Sequence, residues 1–209
     1  MKWQAVFLDF DGVIIDSVDI KTNAFAEMFR PYGSDIEAKV VEYHLAHGGV
    51  SRFEKFKYYY ERLLNRSIDE TQIQQLGNQF SELVLIKVLE APFVDGAFET
   101  LMKLKALNIP TYLVTGTPQE EIQYILKMRG LEDFFSGVYG APAKKEHIVH
   151  SIIKQSHYSP DACLYVGDAL TDYSAAQQNG LHFSGIVPCG AKSLFPDSIK
   201  VSSKVTIEL

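Results

Sequence analysis

The chain has 209 residues, of which 46% are hydrophobic and 12% aromatic, enough for one core domain with a smaller insertion and too many for a disordered chain. Its formal net charge is −6 and it has no Lys/Arg tract, which argues against non-specific nucleic-acid binding. No apolar run reaches the roughly 18 residues that a membrane span needs. We therefore expect neither a nucleic acid nor a membrane as a partner.

The two cysteines, Cys163 and Cys189, are too few for a disulfide framework and fit a reducing compartment. The N-terminal residues read as a short strand rather than as a leader peptide. These features predict a cytoplasmic protein. They do not choose between a monomer and a homodimer.

The first predicted element is a buried strand over residues 3–8, followed by Asp9-Phe10-Asp11-Gly12. Side chains at i and i+2 lean to one side of a strand, so Asp9 and Asp11 would crowd two like charges at one edge. Such a pair is tolerable only when a cation or strong donors offset it. The pattern predicts a metal site with a carboxylate left over for chemistry.

Residues 16–90 show helical spacing throughout, interrupted by Gly48-Gly49. Asp16-Ser17 is interpreted as the N-cap of the first of these helices. Because this segment lies between the first strand and the rest of the sheet, it is predicted to be an inserted helical cap domain. The core domain would then comprise residues 1–15 and 91–209.

After residue 96, apolar strands and helices alternate, which predicts a parallel sheet covered on both faces. Right-handed crossovers make this an α/β, doubly wound, Rossmann-like core, with ligands beyond the carboxyl ends of the strands. Residues 192–209 are predicted as a loop, with an edge strand as the alternative. The predicted helices cover 97–107, 118–129, 144–155 and 172–178, and the strands cover 109–114, 134–139, 162–166 and 183–187.

Polar residues follow several of these strands. Thr115-Gly116-Thr117 follows the strand at 109–114, and Gly167-Asp168 follows the strand at 162–166, with Asp172 four residues further on. Lys144-Lys145 opens the helix between them. In a parallel sheet these groups would meet Asp9 and Asp11 at one rim.

Such a rim suits the transfer of a phosphoryl group. Asp9 is ionised at neutral pH, since its reference pKa is about 3.9, and could attack phosphorus to form an aspartyl phosphate. Asp11 would protonate the leaving oxygen and then deprotonate the attacking water. Thr115, the adjacent Gly116 and a lysine would bind the phosphate oxygens as charge develops on them.

An anionic nucleophile approaching an anionic phosphate also needs a hard divalent cation. Mg²⁺ prefers oxygen ligands and keeps several waters, so one or two carboxylates suffice. We expect Asp9 and Asp168 as ligands, with the backbone carbonyl of Asp11 as a third. Asp172 is better placed to hold a metal-bound water.

This constellation resembles the haloacid dehalogenase superfamily, whose four motifs occur here in order: Asp9-Phe-Asp11-Gly, Thr115-Gly-Thr117, the lysine, and Gly167-Asp168-Ala-Leu-Thr-Asp172. The resemblance implies a Rossmann-like core, Mg²⁺, an aspartyl-phosphate intermediate and a mobile cap. A helical cap directly after the first motif resembles the branch of phosphoglycolate phosphatase and β-phosphoglucomutase.

The resemblance also bears on which lysine binds phosphate. The family often carries Gly-x-Pro-x-x-Lys before this helix, and Gly140-Ala-Pro142-Ala-Lys144-Lys145 puts Lys145 at the last position. Lys145 is therefore favoured, and Lys144 is then a solvated lysine at the start of the helix.

Departures from the family patterns narrow the chemistry. The mutase carries a histidine in the hinge where this chain has Lys21, and Glu-Asp where this chain has Gly167-Asp168, which favours hydrolysis. Asp11 argues against halide chemistry and against phosphonate hydrolysis, which uses a Schiff-base lysine in the cap. Lys55 and Lys57 are accordingly expected to be ordinary cap lysines.

Within the cap, Gly49-Val50-Ser51-Arg52 resembles the loop with which the mutase branch contacts the far side of its substrate. Arg52 either binds a substrate carboxylate or phosphate bidentately or forms a salt bridge on the cap. His44 and His47 are expected not to be catalytic, with His47 as a residue that could line the cleft.

The sequence thus predicts a Mg²⁺-dependent phosphatase acting on a small phosphorylated metabolite of the phosphoglycolate or sugar-phosphate kind. Two alternatives stay open: a sugar-phosphate mutase of the β-phosphoglucomutase type, and a non-catalytic protein that binds phosphate. Arg52 is the one cap residue that the sequence offers as a substrate contact.

Overall fold

The computed structural model describes residues 2–208. The ends of the two predicted core segments, Met1 and Leu209, lie outside this range. A six-stranded parallel sheet in the order β3-β2-β1-β4-β5-β6 forms the core, as the alternation of strands and helices predicts. The strands are β1 (Ala5–Leu8), β2 (Thr111–Pro118), β3 (Gly137–Ala141), β4 (Cys163–Gly167), β5 (His182–Ile186) and β6 (Val201–Ser202).

Two hydrophobic clusters cover the faces of the sheet. β1 lies in the middle and all four of its residues are buried, which explains why its sequence is apolar without alternation. Val6 and Leu8 belong to one cluster, Ala5 and Phe7 to the other. The helices after the insertion are α5 (Ala97–Ala106), α6 (Gln119–Met128), α7 (Lys145–Ser156) and α8 (Leu170–Gln178).

Between β1 and α5 the described chain is helical, with α1 (Val18–Phe29), α2 (Ser34–Ala46), α3 (Arg52–Tyr58) and α4 (Glu70–Glu90). A π-helical turn, Tyr59–Leu63, continues α3. A capping box between Asp69 and Gln72 starts α4. The division into cap and core at residues 16–90 stays a prediction, and this helical content agrees with it.

Three local expectations need correction or extension. β2 runs through Thr115, Gly116 and Thr117 to Pro118, with an irregular register after Val114, so these residues belong to the strand rather than follow it. Ser17 precedes α1, but its side chain does not cap the helix. Residues 201–202 form the edge strand that was the alternative to a loop. Within residues 2–208 no helix is long and apolar enough to cross a membrane.

Candidate active site

The carboxyl ends of β1, β2 and β4 bring together the side chains that the sequence singles out. Asp9 directly follows β1 and is buried, and Asp168 directly follows β4 and is partly buried. One carboxylate oxygen from each of Asp9, Asp168 and Asp172 can be chosen so that all three lie within 4.8 Å of one another. The converging acidic residues are therefore at the rim where the parallel sheet was expected to place them.

Lys145, the first residue of α7, lies among these carboxylates. Its Nζ is 2.9 Å from Asp9 Oδ2 and donates a 2.7 Å hydrogen bond to Asp172 Oδ1. Burial alone would lower the pKa of Lys145, but the charges of Asp172 and Asp9 outweigh this and raise it. Lys145 is therefore in its ammonium form. Lys144 is exposed, so the geometry supports Lys145 as the lysine of the site.

Both carboxylate oxygens of Asp172 accept hydrogen bonds from other groups of the protein. Besides Lys145, its Oδ1 accepts a 3.0 Å hydrogen bond from the Tyr165 hydroxyl, and its Oδ2 accepts a 3.1 Å bond from the backbone N–H of Ala169. These partners orient a wholly buried carboxylate at the start of α8. The arrangement fits a residue that positions Lys145 and the metal surroundings better than a direct metal ligand.

The raised pKa values of Asp9 and Asp168 show that the protein does not fully balance their negative charges. Burial, with the nearby carboxylates of Asp172 and Asp11, raises the pKa of Asp9 to about 7 although Lys145 opposes this. Burial and the charges of Asp9 and Asp172 raise the pKa of Asp168 well above its usual value. A cation between Asp9 and Asp168 would relieve the repulsion, and hard carboxylate oxygens are the donors that Mg²⁺ prefers. The residues present fit Mg²⁺.

Asp11 faces a different set of partners from Asp9. Lys21 Nζ is 2.5 Å from its Oδ2, Thr117 Oγ1 donates to the same oxygen at 3.0 Å, and Ser17 Oγ donates to Oδ1 at 2.6 Å. Burial would raise the pKa of Asp11, but the Lys21 ammonium and these hydrogen bonds outweigh it and lower the pKa. The Asp11 carboxylate is therefore ionised and held outside the cluster formed by Asp9, Asp168 and Asp172.

Ser17, Thr117 and Tyr165 are site residues that the sequence reasoning did not assign. Ser17 was interpreted as a helix cap, yet its hydroxyl binds Asp11 because the chain turns back from β1 before α1 begins. Thr117 lies inside the second motif and also accepts a 2.8 Å hydrogen bond from Lys21. A tyrosine in the middle of a fully buried strand was the one signal for Tyr165, because a buried hydroxyl needs a partner.

Thr115 is buried in β2, and its Oγ1 accepts a 3.1 Å hydrogen bond from the backbone N–H of Thr117. Together with Gly116 and Lys145 it lines a depression beside Asp9 that Gly49 and Thr171 close from the other side. A Cβ built on Gly116 would lie 2.5 Å from the Gly49 carbonyl oxygen, so only glycine permits this close approach. Thr115, Gly116 and Lys145, three of the predicted substrate-binding residues, thus line the same depression.

A cleft that is open to solvent lies between the helical segment and the sheet rim. The core contributes Asp9, Asp11, Gly116 and Asp168 to its walls, and the helical segment contributes Lys21, Phe25, His44, Arg52, Lys55 and Phe80 among others. The cleft is therefore the place where a molecule could touch the acidic rim and the helices at once.

Arg52 lines this cleft, but its guanidinium is already hydrogen-bonded to side chains of the protein. It pairs with Glu121 of α6 through Nη2 to Oε1 at 2.5 Å and Nη1 to Oε2 at 2.9 Å, and Nη1 also donates to Ser81 Oγ at 2.7 Å. Arg52 thus joins the helical segment to the core. Its role as a substrate contact stays a prediction, since binding a substrate here would require it to exchange or share these partners.

Two side chains of the helical segment, His47 and Lys55, differ from their expected places. His44 is buried against the cleft, whereas His47 is exposed and stacks on Tyr43 with a centroid distance of 3.8 Å. Lys57 is an exposed cap lysine as expected. Lys55 is not: its side chain is 2% exposed and lines the cleft.

Comparison with known proteins gives a consistent result. A family model described as haloacid dehalogenase-like hydrolase matches residues 3–180. The phosphoglycolate phosphatase of Psychrobacter arcticus is 27% identical over 198 residues, covering 89% of this chain and 84% of the relative. A 2-hydroxy-3-keto-5-methylthiopentenyl-1-phosphate phosphatase of Microcystis aeruginosa is 23% identical, covering 86% and 83%.

A solved structure supports the fold in the same way. The β-phosphoglucomutase of Clostridium difficile superposes with a TM-score of 0.72 at 21% identity, covering 88% of this chain and 85% of that protein. At this identity the similarity concerns the fold alone.

Proposed function

Because the chain belongs to the haloacid dehalogenase-like hydrolases, we propose that it is a Mg²⁺-dependent phosphatase that hydrolyses a small phosphomonoester through an aspartyl phosphate on Asp9. Assignment as a phosphoric monoester hydrolase rests on the family and on relatives named as phosphoglycolate phosphatases. The observation that carries the mechanism is the convergence of Asp9, Asp168, Asp172 and Lys145 at one rim.

In the first half-reaction an oxygen of Asp9 forms a bond to phosphorus while the bond from phosphorus to the leaving oxygen breaks. Asp11, which is ionised in this structure, has to take up a proton when the substrate binds, and it then supplies that proton to the leaving oxygen. Lys145 and Thr115 stabilise the phosphate oxygens as charge develops. The backbone N–H of Phe10, which donates to Asp9 Oδ1 at 2.7 Å, and Lys145 on Oδ2 fix the orientation of the nucleophile.

In the second half-reaction water attacks the phosphoryl group on Asp9, and Asp11 takes up its proton. The hydrogen bonds from Lys21, Ser17 and Thr117 favour the ionised form of Asp11, which this step requires. Mg²⁺, bound by Asp9, Asp168 and the Asp11 carbonyl, would offset the negative charge on nucleophile and phosphate. Asp172 would keep Lys145 aligned.

The decisive experiment compares Asp9→Asn with the wild-type protein in an assay of phosphate release from a panel headed by 2-phosphoglycolate and hexose and pentose phosphates. We expect release to fall at least 10³-fold while the circular dichroism spectrum and melting temperature change little. Retained turnover in a folded Asp9→Asn variant would refute the role of Asp9. Wild-type protein without activity on any phosphomonoester would favour the non-catalytic alternative.

The mutase alternative is supported by the fold of the β-phosphoglucomutase structure. Lys21 binds Asp11 where the mutase branch carries a hinge histidine, and this departure favours hydrolysis. Product analysis with a hexose 1-phosphate separates the two, since a mutase returns an isomeric phosphate and a phosphatase returns free sugar.

A further inference from the structure

Lys55 is a buried ammonium without a counterion in the wall of the cleft. Four basic side chains of the described chain line or adjoin this space, and three of them are ion-paired: Lys21 with Asp11, Arg52 with Glu121, and Lys145 with Asp9 and Asp172. No carboxylate among residues 2–208 lies within the 4.0 Å of an ion pair with Lys55. A buried charge is costly unless it is paired, so an anion that enters the cleft would stabilise the charged form of Lys55.

His44 holds Lys55 in this place. The Nζ of Lys55 lies 2.8 Å from His44 Nδ1, and when Lys55 is charged its ammonium donates this hydrogen bond to the neutral ring. The ring of Phe25 lies 5.7 Å from the same Nζ and 4.8 Å from the His44 ring. Packing by a neutral imidazole and an aromatic ring fixes the position of the charge but does not neutralise it.

Lys55 lines the cleft, so an anionic partner for it would have to lie there. Burial and Lys21 lower the pKa of Lys55 to about 7, while Asp11 and Asp168 oppose the shift from the core side. Burial, Lys55 and Lys21 lower the pKa of His44 to about 3, so the histidine cannot share the positive charge. An anion in contact with Lys55 would stabilise the ammonium form and raise the pKa of Lys55.

We propose that Lys55, held by His44, binds a second anionic group carried by the leaving group of the substrate, so that the enzyme selects phosphomonoesters with a carboxylate or a second phosphate beyond the ester oxygen. This rests on the proposed phosphatase function. The phosphate would lie at Asp9 and Lys145, and the second anion at Lys55 across the same cleft. A neutral leaving group would leave the buried ammonium unpaired, which costs affinity.

The test compares substrates that differ in this group alone. 2-Phosphoglycolate carries a carboxylate where 2-hydroxyethyl phosphate carries a neutral hydroxymethyl group, and 1,3-propanediol bisphosphate beside 3-hydroxypropyl phosphate tests a second phosphate. For the wild-type enzyme we expect kcat/KM to be at least tenfold higher for the anionic member of at least one pair. Ratios below threefold in both pairs would overturn the proposal.

Lys55→Met should lower kcat/KM at least 30-fold for the preferred substrate, which carries the second anionic group, and less than threefold for its counterpart without that group. Activity on the counterpart without the second anionic group also shows that the variant is folded. Lys57→Met, which removes an exposed lysine two residues away, should change neither value by more than threefold. An equal loss on both members of the pair would show that Lys55 is structural and would overturn the proposal.

A third arm separates an electrostatic from a covalent role. Wild-type enzyme is treated with sodium borohydride in the presence of glycolaldehyde phosphate and analysed by mass spectrometry. We expect no adduct on Lys55. A reduced imine at Lys55 would overturn the proposal in favour of a carbonyl substrate. Failure of the wild-type enzyme to hydrolyse any of these esters would instead count against the proposed function itself.

Discussion

At the scale of single residues, the site separates two carboxylates that are neighbours in sequence. Asp9 is buried among other carboxylates and its pKa is raised to about 7, whereas Asp11, two residues on, is hydrogen-bonded by Lys21, Ser17 and Thr117 and its pKa is lowered. Different partners therefore give two identical side chains different tasks. One is suited to a cation and a phosphoryl group, the other to moving a proton.

Lys145 offers the sharpest test at this scale. We expect Lys145→Met to lower kcat/KM for phosphate release at least 100-fold, because it removes the charge between Asp9 and Asp172. Lys144→Met is the matched control and should cost less than threefold, since that side chain is exposed. The reverse order of effects would assign the phosphate-binding role to Lys144.

His44 gives a prediction about acid stability. Burial and the adjacent Lys55 lower its pKa to about 3, so between pH 6.5 and 3 the unfolded chain binds a proton at His44 that the folded chain does not. The free energy of unfolding therefore falls with decreasing pH by about 1.4 kcal/mol per pH unit from this group alone. Above pH 6.5 both states are neutral and the effect is absent.

His44→Gln should remove that dependence. Urea unfolding of wild type and variant at pH 7, 5.5 and 4.5 gives the measurement. Below pH 6, we expect the free energy of unfolding of the variant, relative to that of the wild type, to increase by about 1 kcal/mol for each unit that the pH falls. Parallel curves for the two proteins would show that His44 is protonated in the folded state.

At the scale of elements, several polar contacts bring the helical segment against the sheet, among them the ion pair of Lys21 with Asp11. Ser81 of α4 and Arg52 of α3 both bind Glu121 of α6. On the other side of the cleft, the Thr171 hydroxyl donates to the Gly48 carbonyl at 3.0 Å. The apolar core also continues from the sheet into these helices, since Phe25 and Phe80 belong to the same buried cluster as Val6 and Leu8.

Glu121→Gln should weaken the contact between Arg52 and Glu121. Arg52 is 4% exposed, so removing its partner's charge leaves a buried cation uncompensated, and we expect a loss of about 2–4 kcal/mol in the free energy of unfolding. Hydrogen exchange should rise in α3 and α4 before it rises in β1. Glu120→Gln, at an exposed neighbouring position, should change stability by less than about 0.5 kcal/mol.

The order of strands and helices was predictable because apolar runs and helical periodicity depend on local sequence, and the parallel sheet followed from their alternation. Motif residues at strand ends could be placed at one rim for the same reason. Long-range partners could not be read from the sequence: Arg52 with Glu121, and Lys55 with His44, join elements whose packing angle is set by the whole core. Ser17 looked like a helix cap because capping residues and site residues are chemically alike.

At the scale of the whole molecule, metal binding should stabilise the folded chain, since the converging carboxylates exist in the folded state alone. Saturation at 100 times the dissociation constant adds about 2.7 kcal/mol to the free energy of unfolding. We expect Mg²⁺ to raise the melting temperature of EDTA-treated protein and EDTA to abolish phosphate release. Asp168→Asn should remove the thermal shift, and Asp133→Asn, at an exposed position, should keep it. A shift that survives in Asp168→Asn would place the ion elsewhere.

Thr171 stands between Asp168 and Asp172 in the chain, and its hydroxyl is bonded to Gly48 of the opposing segment. The turn that presents carboxylates to the ion is thus the turn on which the opposing loop rests. If Mg²⁺ orders that turn, it favours docking of the loop. By thermodynamic linkage, docking of the loop then raises the affinity for Mg²⁺ by the same factor. If Mg²⁺ binds there, its concentration would also affect how strongly the loop is held against this turn.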